Sequence, residues 1–383
     1  MVAEQLSPNL FSMGDWIESH EQIKTNDKPE MRNMLVDTGK GIAIILMCIG
    51  HAYCPDALFY FIYMFHMAFF FMMSGYFFSD KNLDNPKAFI WKRITGLWVP
   101  FVKWGLIFVL LHNIFLKLQL LPPPYENNVY SIREAMWKGL TTIPRFIPTE
   151  DMMGPYWFLS CLFFTSILSW VIFRMGKLFK QYRSVVTGAL FLLCYSVGCV
   201  FVYLDIKCNV QIKLALVVSI LFYLGFLWKR YDGCVRYTIA GVLTALTILL
   251  AGYFLGYDHI NIATLNLENP TLFLVYSLCG CYLVLGVSSF INKNSCMKNV
   301  LSYVGRHSIT ILLANYFCIR VLHLIRYYFM PDNHGAPTDI PQLYNDWYWW
   351  MVYTLFSVVV PLGVREIYQK IKESIIIIKS KSR

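Results

Sequence analysis

The sequence predicts an all-α fold: a polytopic transmembrane helical bundle of about ten spans with both termini cytoplasmic. Three observations lead there. Hydrophobic residues make up 57% of the 383 and charged residues only 15%, with a mean hydropathy of +0.49, whereas soluble domains carry about 25% charged residues. The apolar material comes in blocks of about 20 residues, the length a helix needs to cross roughly 30 Å of hydrocarbon; the alternating segments of about ten residues that build a barrel do not appear. Lysine and arginine crowd into every second loop, which orients the bundle.

The elements follow in order. Residues 1–34 form a polar tail carrying the acids Glu4, Asp15, Glu18, Glu21, Asp27 and Glu30. It lacks the basic start and short apolar core of a cleaved signal, so insertion is expected to begin at the first span. The transmembrane domain covers residues 35–366. Its spans run Val36 to Cys54, Leu58 to Phe78, Ile94 to Phe115, Tyr156 to Phe173, Val185 to Tyr203, Leu214 to Trp228, Tyr237 to Tyr257, Leu272 to Ile291, Leu301 to Leu324 and Trp347 to Val364. The sixth is short and the first has a polar beginning. One long loop, residues 117–155, lies on the outer side and contains Pro122, Pro123, Pro124, Pro144, Pro148 and Pro155. Within it Ser131 to Leu140 is amphipathic and suited to lie on the membrane surface. A loop of this length serves as a lid, a binding segment or a structural cap. Residues 367–383 form a basic tail.

The loops after spans two, four, six and eight, with the C-terminal tail, hold 20 lysines and arginines, and the alternate loops hold 7. The net charge of +10 follows from this bias, so it carries no nucleic-acid inference; basic loop ends facing anionic lipid account for it. The eleven cysteines are scattered, mostly within spans, with no C-x-x-C pair. They read as small packing residues rather than a disulfide framework or a metal site.

Ionisable residues inside the first span point to chemistry. Asp37, Lys40 and His51 lie in an otherwise apolar stretch, where such side chains are costly and usually serve a substrate or proton path. Lys40 and His51 are eleven positions apart, so they share a helix face about 16 Å apart along the axis and cannot touch. Asp37, one turn before Lys40, is placed to pair with it. A long substrate arm could span the separation, its anionic head near Lys40 and its reactive end at the imidazole. Span two adds His66 at a comparable depth, so that two imidazoles converge. Ser74 and Gly75 read as a close-packing pair. Arg320 and His323 in span nine lie inside or near apolar surroundings, and Arg320 near the outer end suits an interfacial position. Asn315 in the same span would bridge helices by hydrogen bonds.

These residues carry a resemblance. The string from Asp37 to His51, with Lys40 and ten residues before the histidine, resembles the first-helix signature of the family-3 integral membrane acyltransferases, particularly their fucose O-acetylase-like branch. Phe65-His66-Met67-Ala68-Phe69-Phe70-Phe71-Met72-Met73-Ser74-Gly75-Tyr76 resembles that branch's F-H-M-P-L-F-F-x-x-S-G-Y. Lys92-Arg93 with Val99-Pro100-Phe101, then Gly154-Pro155-Tyr156-Trp157-Phe158-Leu159, and more weakly Tyr303 to Ser308, follow in the expected order. Lys40 stands where much of the wider family has arginine, Ala68 where proline is usual, and Asn315 where relatives often carry histidine.

The resemblance implies a multi-pass protein of the inner membrane that transfers an acyl group, most often acetyl from acetyl-CoA, to a hydroxyl of a surface glycan or lipid-linked sugar precursor. No metal is implied. His51 is then the general base and His66 its partner, since a hydroxyl attacks a thioester poorly until a positioned base takes its proton; an acyl-histidine intermediate is the competing mechanism. Lys40, with Asp37 orienting it, suits the donor's phosphates or pantetheine arm, and Lys92 and Arg93 are candidate phosphate ligands, although topology alone also explains those two. Trp157 is a stacking surface for a sugar or an interfacial anchor. Arg320, His323 and Asn315 then fall along the acceptor path. A homo-oligomer is compatible with the sequence. Two other classes fit the composition. A transporter or flippase would show repeated halves or broken helices in matching positions, and no repeat stands out. A glycan polymerase would need a large basic outer loop, and residues 117–155 hold four basic residues.

Overall fold

The computed structural model describes residues 33–122, 128–257, 259–330, 337–338 and 348–381, with side chains to residue 375. The acidic tail before residue 33, Pro123 and Pro124 of the long loop and the expected start of the last span at Trp347 lie outside the described residues. Apart from one two-residue bridge between Asn261 and Asn266, the described chain forms only helices, turns and loops.

Nine helical segments among the described residues are long and apolar enough to span a bilayer. The first is α1, Met34–His51. The second is interrupted: α2, Asp56–Tyr63, stops, and α3, His66–Tyr76, starts after Phe65 leaves helical geometry at φ −148°. A continuous second helix was the expectation from the sequence. The break turns Phe65 toward Gly280, where a Cβ would fall 2.0 Å from that of Phe65, and it leaves His66 at a helix start instead of mid-helix.

The third span begins earlier than its apolar run suggests. Helix α4, Pro86–Arg93, is capped by the Asn85 side chain and continues through a widened π turn, Ile94–Trp98, into α5, Val99–Lys117. Pro100 has no N–H for the carbonyl four residues back, and the wider turn just before it accommodates that loss. The loop helix α6, Ile132–Trp137, is capped by Ser131 and presents Ile132, Met136 and Trp137 outward, as an interfacial segment does.

Helices α7, Trp157–Leu178, α8, Arg183–Tyr203, and α9, Val210–Arg230, follow; α9 is longer than the short sixth span expected. Helix α10, Ile239–Phe254, has only 16 residues, about 24 Å of axis. It nonetheless crosses the bundle. The segment after it, Asn261–Ala263, shares a cavity with His51 at the end of α1, while Arg230 before it shares one with Asp80 and Arg183 at the opposite end. Then come α11, Pro270–Ile291, α12, Ser295–Arg306, α13, Ser308–Phe329, and α14, Trp349–Lys381. The expected ninth span, Leu301 to Leu324, is therefore two elements: the corner at His307 separates the amphipathic α12 from the spanning α13. Helix α12 joins the start of α1 to the later part of α14: Gly305 packs against the Asp37 backbone and the Tyr303 hydroxyl donates to Glu366.

Close contacts between backbones hold the centre. A Cβ on Gly75 would lie 1.8 Å from the Phe222 carbonyl oxygen, and one on Gly225 would lie 1.8 Å from that of Met72. Helices α3 and α9 thus cross with their backbones touching, as small-residue membrane interfaces allow. Gly41 and Gly305 do the same for α1 and α12. Thr38 adds a hydrogen bond to Asn292 beyond α11 at 2.8 Å.

Candidate active site

The two histidines meet. A cavity of about 200 Å³ is lined by His51 and Met47 of α1, Tyr63 and His66 at the break in the second span, Gly154 to Trp157 without Tyr156, Leu312 and Tyr316 of α13, and Asn261–Ala263. The break makes this possible: with α2 ending at Tyr63, His66 is the first residue of α3 and faces the space beside the end of α1.

Each imidazole is held through the same nitrogen. His66 Nδ1 lies 2.9 Å from the Ile62 carbonyl oxygen; a carbonyl only accepts, so Nδ1 carries the proton and Nε2 a lone pair. His51 Nδ1 lies 2.8 Å from Asn315 Oδ1. The Asn315 amide is oriented by its other end, Nδ2 donating to Cys48 Sγ at 3.4 Å, so Oδ1 faces the ring and accepts from Nδ1–H. Both rings are therefore assigned the tautomer with a basic Nε2. Tyr63 stands beside His66, ring centroids 4.8 Å apart, and a Cβ on Gly50 would fall 2.7 Å from the Tyr63 ring. The edge of Tyr316 meets His51 at 5.1 Å.

A short 3₁₀ segment, Asp151–Tyr156, forms one wall and is pinned to α13 at both ends. The Tyr156 hydroxyl donates to the Leu313 carbonyl at 2.7 Å and Arg320 Nε donates to Asp151 Oδ2 at 3.4 Å. The pinning fixes Gly154, Pro155 and Trp157 at the cavity. The facing wall, Asn261–Ala263, is stiffened by paired backbone bonds between Asn261 and Asn266 and anchored by the buried side chains of Ile260, Ile262 and Leu267. Tyr53, two residues past His51, takes left-handed backbone (φ 59°) and lies within electrostatic reach of Arg320 and Asp151.

The remaining residues named from the sequence are distributed over two regions. Asn315 is fully buried and does not line the cavity; its contact is with His51. Arg320 supports the wall through Asp151, and His323 faces α14, its Nδ1 3.3 Å from the Tyr353 hydroxyl. Asp37 is buried at the far end of α1, and the half-buried Lys40 places Nζ 4.7 Å from the centroid of Phe77. Lys92 is exposed and Arg93 lies over the Phe89 ring at 5.1 Å; neither lines the histidine cavity. Sequence reading missed Tyr63, Tyr316 and the Asn261–Ala263 wall. Tyr63 was within reach of a helical argument, three residues before His66, but the wall comes from a loop with no chemical signature.

The comparisons with known proteins agree with this arrangement at the level of the family. The model of an acyltransferase domain, that of acyltransferase family 3, matches residues 35–366, most of the chain and all of the elements that build the cavity. No curated protein and no solved structure matches the chain. A multi-pass helical membrane bundle whose length is matched by that domain is a membrane acyltransferase, and this chain belongs to acyltransferase family 3.

Proposed function

We propose that the protein is an O-acetyltransferase of the inner membrane, moving the acetyl group of acetyl-CoA to a hydroxyl of a surface glycan or lipid-linked sugar precursor, with His51 as general base. The observation that carries this reading is the convergence of His51 and His66 on one cavity, each with Nδ1 committed to a fixed acceptor and Nε2 left basic. His51 Nε2 takes the proton of the acceptor hydroxyl as its oxygen attacks the thioester carbonyl. The tetrahedral intermediate expels the CoA thiolate, which takes the proton back from the imidazolium, giving the ester and free CoA. His66, held by Ile62, orients the acceptor or the intermediate from the other side. Trp157 offers an aromatic face to a sugar ring.

The positive-inside bias assigns the Lys40 end to the cytoplasm. The histidine cavity then lies toward the outer half of the bilayer, between outer connections. Donor and acceptor approach from opposite faces, which fits a cytoplasmic acyl donor and an acceptor presented from the outer side. The fucose O-acetylase-like branch is the part of the family that the Asp37–His51 and Phe65–Tyr76 strings favour.

The test is transfer of radiolabel from acetyl-CoA to candidate glycans by the full-length protein in detergent. Wild type transfers label. His51→Ala, with an unchanged thermal midpoint, loses turnover by about a hundredfold or more; full turnover in that folded variant removes the proposed base.

A further inference from the structure

A second cavity lies at the opposite end of the bundle, with chemistry unlike that of the histidine site. Its volume is about 670 Å³, and it is bounded by the chain after α3, the ends of α7 and α9 and the start of α8. Lys180, Arg183, Lys229 and Arg230 line it, against a single carboxylate, Asp80. That carboxylate is occupied: Arg183 Nη1 and Nη2 reach its two oxygens at 2.9 and 2.5 Å, and this pairing lowers the Asp80 pKa. Among the described residues Lys180, Lys229 and Arg230 form no ion pair within 4 Å, so they present a net positive charge to one space, with Asp232 on the Tyr76 hydroxyl at its margin.

Two further features distinguish this space from ordinary positive loop ends. The partly exposed Tyr223 and Phe226 form an aromatic wall backed by the buried Phe173, whose centroid lies 4.6 Å from that of Phe226. Charge also continues toward the first helix. Lys229 Nζ lies 4.8 Å from the Tyr76 ring centroid and 6.0 Å from that of Phe77, the ring that Lys40 Nζ approaches at 4.7 Å.

We propose that this cavity is a phosphate-binding site in which Lys180, Lys229 and Arg230 hold the phosphates of a nucleotide and the aromatic wall takes its base. Cationic side chains converging on one space suit phosphate oxygens, and a planar base stacks on aromatic faces. The naming of that nucleotide as the phosphorylated end of an acyl-CoA donor rests on the acetyltransferase reading; the phosphate site itself does not. Lys40 then lies along the route from the cavity to the reacting histidine. Lys92 and Arg93, the sequence-based candidates for this task, are not among the residues lining it. Anionic lipid headgroups share the phosphate chemistry, and the experiment separates the two sources.

The experiment titrates adenosine 3′,5′-bisphosphate into the full-length protein in uncharged detergent, with inorganic phosphate alone as a parallel titrant. A second arm measures retention of phosphatidylglycerol by native mass spectrometry from nanodiscs of phosphatidylcholine with and without that lipid. The variant is Lys180→Gln with Arg230→Gln, which spares the Arg183–Asp80 pair. Bisphosphate affinity is expected to fall about tenfold or more in the variant, with the thermal midpoint unchanged and phosphatidylglycerol retention unaffected. Retention of phosphatidylglycerol that depends on these residues, without bisphosphate binding, assigns the site to a headgroup and overturns the nucleotide. Equal binding of every probe by wild type and variant, or no binding by wild type, overturns the site itself. His51→Ala separates this from the reading of the enzyme: it keeps bisphosphate binding, and a wild type that binds the bisphosphate but transfers no acetyl leaves the cavity standing while the transferase reading falls.

Discussion

Asn315 Oδ1 accepts a hydrogen bond from His51 Nδ1 at 2.8 Å, joining residues 264 positions apart in the chain. The amide is fully buried and its other end is engaged by Cys48, so it fixes both the ring angle and the tautomer of the imidazole. A residue expected along an acceptor path thus acts on the proposed base from behind.

Asn315→Leu is therefore expected to lower kcat by about tenfold to a hundredfold, within the range that a positioned base contributes, and to leave the KM for acetyl-CoA near its wild-type value. Asn315→Asp keeps an acceptor at the same atom and should retain more of kcat than the leucine variant. Steady-state kinetics on both proteins checks this; a change confined to acceptor KM would return Asn315 to substrate binding.

Trp157 separates two roles that the sequence left open. Its ring lies at the histidine cavity. If it stacks on the acceptor, Trp157→Ala raises acceptor KM by about tenfold, the scale of losing an aromatic contact of roughly 1 kcal/mol or more, with donor KM unchanged. An interfacial anchor would leave both constants alone and change only insertion or thermal stability.

Much of this was legible in the sequence because its signals are local. Blocks of about 20 apolar residues mark spans, and the eleven-residue interval from Lys40 to His51 places both on one helix face. The His66 string was legible as chemistry, but the break that turns His66 into the cavity was not: Phe65 leaves the helix because Gly280 on a distant helix receives it. The split of the ninth span at His307 was hidden by an apolar run continuing through Leu301 and Tyr303. Asn261–Ala263 carries no motif, and its place at the site depends on the anchoring of Ile260, Ile262 and Leu267. Charge counting identified a basic face but not the cavity within it, since Lys180, Arg183, Lys229 and Arg230 come from two connections that only the fold brings together.

The crossing of α3 and α9 has no room for a side chain at Gly225 or Gly75. Gly225→Leu must push apart two backbones that touch, so a loss of about 3 kcal/mol or more is expected, at the upper end of overpacking penalties. A thermal melt in detergent shows a clearly lowered midpoint and reduced yield of folded protein. Gly96→Leu, where a Cβ would meet nothing within 4 Å, is the matched control and should melt close to wild type.

The long loop, residues 117–155, is attached through a buried carboxyl group. Glu150 accepts from the Tyr130 hydroxyl at 2.9 Å and sits 2.6 Å from His112 Nδ1, while His112 Nε2 donates to the Asn128 carbonyl at 2.8 Å. Burial raises the Glu150 pKa above its ordinary 4.5, outweighing the opposing pull of His112. A carboxyl group whose folded pKa is raised binds its proton more tightly when folded, so its contribution to stability is fully present below pH 4.5 and is lost as pH rises through the folded value. Hydrogen exchange of residues 128–150 should quicken relative to the bundle over that rise, and Glu150→Gln, which keeps an acceptor but cannot ionise, should flatten the dependence. Equal pH slopes in wild type and Glu150→Gln would falsify the assignment of this effect to Glu150.

Arg320 and Asp151 offer the last test, because neither lines the histidine cavity and together they hold one of its walls. Nε to Oδ2 is 3.4 Å, and the pair ties α13 to the segment that carries Gly154 and Pro155. Asp151→Asn keeps a hydrogen-bond acceptor but removes the charge, whereas Asp151→Ala leaves the guanidinium, 8% exposed, without that partner, a loss that costs several kcal/mol when a buried pair is broken. The expected order of thermal midpoints is wild type, then Asp151→Asn, then Asp151→Ala. Acceptor KM should rise in the same order while donor KM stays flat, since the wall borders the histidine cavity and the proposed donor route enters from the Lys40 end of α1. A rise in donor KM would mean that the thioester reaches His51 past Gly154, and the two-sided approach would have to be abandoned.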